Sequence, residues 1–123
     1  MHRSIYSRKI RRNRGYLYMV DPEIRNIVKK FVDILTARGI KVEKAVLYGS
    51  YTSGKIHASS DIDIAIISPD FGKDRFEEGK LLMQIAWRVD PRIEAVPISS
   101  ESYEKDTWIP LIYEIRQKGI VAG

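Results

Sequence analysis

Between residues 22 and 38, apolar side chains recur at Ile24, Ile27, Val28, Phe31, Ile34 and Leu35. That spacing draws one stripe down a helix. Asp21 suits its cap, Pro22 its first position and Gly39 its stop. The pattern then shortens. Lys44 to Tyr48 carries Ala45, Val46 and Leu47 and reads as a strand broken by Gly49. Residues 51–60 are small and polar and read as a loop or one short helical turn. Asp61 to Ile67 is rich in β-branched residues and reads as a second strand. A turn cluster at 68–72 leads to a helix from Arg75 to Val89, which buries Leu81, Leu82, Ile85 and Ala86 and ends at Asp90-Pro91. Arg92 to Ile98 reads as a third strand, and Trp108 to Lys118 as a last helix closed by Gly119. Helix, strand, strand, helix, strand, helix predicts a small α/β (α+β) domain, with helices packed on a mixed sheet.

Charge divides this picture in two. The chain of 123 residues carries a net +5, yet residues 1–18 hold six basic side chains (Arg3, Arg8, Lys9, Arg11, Arg12, Arg14) and no acid. Residues 19–123 hold fifteen basic and sixteen acidic side chains. The expected organisation is a basic N-terminal arm over 1–18 and a near-neutral domain over 19–123. The arm reads as a solvated tail, as a phosphate-neutralising nucleic-acid contact in which Tyr6, Tyr16 and Tyr18 mix with arginine, or as an over-long start ahead of Met19. The length fits one domain, burying roughly two-thirds of its unfolded surface. No apolar run approaches the ~20 residues of a membrane span, and no apolar stretch near the N-terminus resembles a signal peptide. Cysteine is absent, which excludes disulfides and thiolate metal sites. A cytoplasmic location is the expectation.

The chemistry concentrates at Asp61-Ile62-Asp63. Side chains two apart on a strand share a face, so both carboxylates leave on one side while Ile62, Ile64 and Ile66 leave on the other. Two carboxylates ~4 Å apart repel by ~4 kcal/mol at an effective dielectric of about 20. A wet site, a protonated acid or a bridging metal would relieve that repulsion, and hard oxygen donors suit magnesium or manganese. On its own the pair is also what a plain surface strand end looks like. Gly49-Ser50 adds a second element: a glycine after an apolar strand lets a ligand approach the backbone, and the serine offers a hydroxyl and backbone N–H groups to an anion.

Gly49-Ser50, ten intervening residues and Asp61-x-Asp63 together resemble the signature of the polymerase beta-like nucleotidyltransferase superfamily. The stretch Leu47-Tyr-Gly-Ser-Tyr-Thr-Ser-Gly54, followed by Ser59-Ser-Asp61-Ile-Asp63-Ile, looks like its minimal nucleotidyltransferase branch. The likeness runs from about residue 22 to the end and leaves out the arm. Tyr51-Thr52 stands where many members carry Arg-Ala or Arg-Ser. The resemblance implies a third carboxylate on the next strand, and Glu94 of Arg92-Ile-Glu94-Ala-Val-Pro97 fits it. The plain alternative for Glu94 is an ion pair with Arg92 at a sheet edge.

The implied activity is metal-dependent transfer of a nucleoside monophosphate, AMP from ATP or another NTP. Asp61, Asp63 and Glu94 would be catalytic and hold Mg2+ or Mn2+, and Gly49 and Ser50 would bind the nucleotide. The implied acceptor is a separate HEPN-domain protein, with this chain the antitoxin of a toxin–antitoxin pair. Two other readings are a nucleotide-binding antitoxin that acts by docking alone and nucleic-acid binding through residues 1–18. Trp87 and Trp108 are expected to pack in the core or an interface, and His2 and His57 lack ligand spacing.

Overall fold

The computed structural model describes residues 20–49 and 61–123. Helix α1 (Pro22–Ala37) leads to strand β1 (Lys44–Tyr48), and β2 (Ile62–Ser68) follows the undescribed stretch. Then come α2 (Arg75–Val89), β3 (Ile93–Ser99), a short α3 (Ser100–Lys105), α4 (Pro110–Lys118) and a two-residue β4 (Ile120–Val121). The strand order is β3-β2-β1-β4. β2 and β3 run parallel, with α2 as the crossover, while β1 is antiparallel to both β2 and β4. The expected mixed sheet with packed helices is therefore present.

The helix ends follow local chemistry. Asp21 accepts from the Glu23 N–H at 2.7 Å and caps α1, with Pro22 at the first turn. Gly39 has φ +90°, the left-handed conformation that ends helices without a Cβ penalty. Asp74 caps α2 by accepting from the Glu77 N–H. Upstream of that cap, the Glu78 carboxylate accepts from the Gly72, Lys73 and Asp74 N–H groups and fastens the preceding turn.

The sheet separates two apolar layers. On one face Leu47, Ile62, Ile64, Ile66 and Ile93 pack against Ile24, Val28, Phe31 and Leu35 of α1 and Leu82, Ile85 and Ala86 of α2. On the other, Val46, Ala65, Ile67 and Ile98 meet Tyr103 of α3 and Ile112 and Ile115 of α4. Ile62, Ile64 and Ile66 all turn into the first layer, as the alternation requires. α4 comes close to β1 at Gly119, where a Cβ would collide with Val46 Cγ1 and the Ile115 carbonyl.

Differences from the sequence expectation are local. Strand β3 runs through Ser99, and α4 begins at Pro110 rather than Trp108. α3 and β4 were not anticipated. α3 is six residues long with a single buried side chain, Tyr103, too short for a periodic signal. Tyr103 is held between the Lys44 ammonium and the Arg116 guanidinium, each about 5 Å from its ring centre, 5.0 Å and 4.9 Å respectively. Ile34 stays 37% exposed and Leu81 half-buried. Trp87 and Trp108 are 65% and 76% exposed. Neither is a core residue, which corrects that half of the sequence reading: each lies on a surface its helix or turn leaves uncovered.

At the sheet edge, Ile62 N–H donates to the Arg92 carbonyl, which sets β3's alternation. Glu94, Val96 and Ile98 turn their backbone groups toward β2, and Pro97 turns its nitrogen outward. The residue without an N–H thus occupies an outward backbone position.

Candidate active site

Three strands bring the site together at one end of the sheet. In register, Tyr48 of β1 lies beside Asp63 of β2, and Asp63 beside Glu94 of β3. Directly paired residues share a face. Tyr48, Asp63 and Glu94 therefore rise on the α3/α4 side, continuing the rows whose inner members are Val46, Ala65 and Val96. The apolar layer ends where these polar side chains begin. Asp61 is exposed just ahead of β2, Asp63 is half-buried and Glu94 is exposed.

Gly49 closes the site from β1. Its φ is +68°, and a Cβ there would collide with Asp63 Oδ2. Glycine is required twice over, for its backbone conformation and for its approach to the carboxylate. The two halves of the sequence signature therefore meet in space. Ser50, Tyr51, Thr52, Gly54, His57, Ser59 and Ser60 lie outside the described residues.

The electrostatics single out Asp63. Its carboxyl is raised above the usual aspartate range, first by burial, then by the charges of Asp61, Glu94 and Glu114. Every charge in that account is negative. Tyr48 is pushed up to about 12 by burial and then by Asp63, Glu114 and Glu94, so its phenol keeps its proton at neutral pH. Sequence reasoning missed Glu114 and Tyr48. Glu114 sits on α4, twenty residues beyond Glu94, and only the packing of that helix on β1 brings it into the field of Asp63. Tyr48 stood in plain view beside Gly49, and strand pairing was the missing information.

Arg92 is engaged elsewhere. It holds Asp90 through Nε at 3.1 Å and Nη2 at 3.0 Å and reaches Glu23 at 3.9 Å. Among the described residues, no three His, Asp or Glu side chains form a ready-made metal cage. The donors nevertheless suit a hard dication. They are carboxylate oxygens, and among the described residues Asp63 sits in the negative field of Asp61, Glu94 and Glu114, which a cation would relieve. Magnesium ordinarily takes one or two protein carboxylates and completes its shell with water and substrate phosphates, so an open arrangement fits it.

With that geometry in place, comparison with known proteins defines the class. Residues 24–117 match the family model described as a nucleotidyltransferase domain, and the chain belongs to that family. It is 32% identical over 73 residues to Protein adenylyltransferase MntA of Shewanella oneidensis, covering 59% of this chain and 52% of that protein. The chain thus spans about half the length of that relative. It is 29% identical over 99 residues to MJ0141 of Methanocaldococcus jannaschii, named provisionally as a protein adenylyltransferase, covering 80% of this chain and 97% of that one. Two solved structures share the fold. One is a provisionally assigned nucleotidyltransferase of Sulfolobus solfataricus (TM-score 0.56, 16% identity, 80% of this chain and 78% of that one). The other is a mutant toxin–antitoxin MntA-HpeT structure (TM-score 0.52, 23% identity, 77% and 71%). No described helix is long and apolar enough to cross a membrane.

Proposed function

We propose that this chain transfers AMP from ATP to a hydroxyl of a partner protein, using Asp61, Asp63 and Glu94 with a divalent metal. The observation that carries the reading is the contact of Gly49 with Asp63. It joins the turn after β1 to a carboxylate that, among the described residues, is raised by burial and by three neighbouring acids. The nucleotidyltransferase family and two relatives named for protein adenylylation support the same reading. Asp61 and Asp63 would hold magnesium or manganese, with Glu94 contributing. The metal's chemistry is charge neutralisation at the triphosphate and acidification of the attacking hydroxyl.

The chain's own residues supply position. The turn at Gly49-Ser50 would seat the triphosphate, with Gly49 letting the Asp63 carboxylate lie against that turn and Ser50 donating to a phosphate oxygen. The acceptor oxygen bonds to the α-phosphorus as the bond to the α–β bridging oxygen breaks. Pyrophosphate leaves with that electron pair. The acceptor's proton passes to a carboxylate oxygen of Glu94, which is exposed on the same sheet face as Asp63. Positioning and charge neutralisation provide most of the acceleration in phosphoryl chemistry.

The acceptor is read as an HEPN-domain toxin, with this chain as its antitoxin. A toxin–antitoxin pair among the chains sharing the fold supports this, as does the relative named MntA. The test combines the full chain, ATP, Mg2+ and a purified HEPN-type partner, with intact mass as readout. An AMP-sized gain on the partner, lost on chelation and in Asp63→Asn, is the expected result. A stable complex with no mass gain would replace transfer by neutralisation through docking.

A further inference from the structure

The acids assigned to the site come from β2, the residue ahead of it and β3. A fourth acid belongs to another element. Glu114 lies on α4, which packs on the sheet face that Tyr48, Asp63 and Glu94 share. Leu111, one helical turn before Glu114, packs against the same apolar layer as Tyr48. Residues three apart on a helix are neighbours, so Glu114 stands beside that packing, at the rim where the layer gives way to the site. It is half-buried, between the exposed Tyr113 and the buried Ile115. Among the described residues no ion pair includes it. Arg116 of the same helix is committed elsewhere, donating to the Tyr103 carbonyl at 3.0 Å and reaching Glu104 at 4.0 Å. Nor does Glu114 cap a helix, since it sits in the middle of α4, beyond the first turn where a carboxylate is favoured. Its charge reaches both Asp63 and Tyr48. Architecture thus gives this acid no task, and its field falls on the site.

We propose that Glu114 is a positioning residue for the divalent metal: its carboxylate, placed beside the end of β1 by α4, strengthens the hold of Asp61 and Asp63 on the ion. The inference rests on the metal-dependent reading of this site. A fixed charge attracts a dication twice as strongly as a monocation at the same distance. Acting through space, Glu114 adds affinity and takes no place in the coordination shell, which stays open for water and phosphate oxygens. The other acids nearby on that face are spent differently. Glu101 is paired with Lys105 and Glu104 with Arg116, so each carries its own cation. Glu114 alone of these three α3 and α4 acids brings uncompensated charge, among the described residues, to the end of the sheet where Asp63 lies.

The test titrates the full chain with Mn2+ alone and reads the free ion by electron paramagnetic resonance. Glu114→Gln should weaken Mn2+ binding by roughly fivefold at low salt. The loss should shrink to about twofold or less in 0.5 M potassium chloride, as a through-space effect requires. Glu114→Asp, which keeps the charge, should restore most of the affinity. Glu101→Gln changes the net charge equally and should stay within about twofold of wild type. A wild-type measurement stands beside these in case Glu114→Gln unfolds: bound Mn2+ should broaden the side-chain carboxyl carbon signals of both Asp63 and Glu114. Unchanged affinity in Glu114→Gln, a loss that salt does not reduce, or a Glu114 signal left sharp while that of Asp63 broadens would each overturn the proposal. The underlying reading fails differently. If Asp63→Asn binds Mn2+ as wild type does, the metal site itself is misplaced, and the role of Glu114 falls with it. A loss in Asp63→Asn with none in Glu114→Gln removes Glu114 alone.

Discussion

Asp90 and Asp63 stand at the same end of the sheet, one before β3 and the other at the start of β2. Asp90 accepts from the Arg92 backbone N–H at 2.8 Å and from its guanidinium, and its carboxyl is lowered by those hydrogen bonds. Glu78 is lowered too, its burial outweighed by the N–H groups of Gly72, Asp74 and Lys73 and by the Lys73 charge. Asp63 shares this end of the sheet yet is raised, by burial and by Asp61, Glu94 and Glu114. Acids that fasten a turn are given donors, whereas the acid at the site is given other acids. That contrast separates architecture from chemistry more sharply than residue type does, since all three are ordinary carboxylates.

The largest effect that would break the contrast is on transfer. Asp63→Asn should cut AMP transfer by at least about a hundredfold, on the scale of losing a major charge-stabilising group. Asp90→Asn should leave it within about twofold, and single-turnover mass spectrometry reads both. Next comes Gly49→Ala, which combines a positive φ with a collision at Asp63 and should cost about 2 kcal/mol in urea unfolding as well as activity. Gly39→Ala is its control: φ is +90° but nothing lies within 4 Å of the added methyl, so only the backbone strain should register. Equal losses would dissolve the claim that Asp63 packs on Gly49.

Smaller effects sharpen it. Free Mg2+ at ten times its dissociation constant should add about 1.4 kcal/mol to wild type, a melting rise of roughly 5 °C, and much less to Asp63→Asn. Asp90→Asn should cost about 1 kcal/mol, since its ion pair is partly solvated. The subtlest difference is in pH. Asp63's folded value lies above 3.8, so its contribution is fullest below 3.8 and is lost as pH rises toward the raised value. Asp90's folded value lies below 3.8, so its contribution is present above 3.8 and is lost as pH falls. In metal-free unfolding titrations, Asp63→Asn should remove a decline on the alkaline side of 3.8, and Asp90→Asn a decline on the acid side. Matching profiles would contradict the opposed surroundings.

Much of this was legible in the chain itself. Ile62, Ile64 and Ile66 announced one buried face of β2, and Asp21, Pro22 and Gly39 marked both ends of α1, because those signals are local and periodic. Asp61, Asp63 and Gly49 were legible through their spacing. Glu114 was not, since only tertiary packing brings α4 near Asp63. The exposure of Trp87 and Trp108 was hidden for a related reason: an aromatic on a helix signals burial only if another element arrives to cover it.

Pro97 has a consequence for crowded solution. A neighbouring chain laid along the outer side of β3 would find a missing rung midway, where a proline nitrogen faces it. Ribbon-like stacking of copies through that border is thereby discouraged. A Pro97→Thr chain should be quicker to form thioflavin-positive aggregates than its parent at equal concentration.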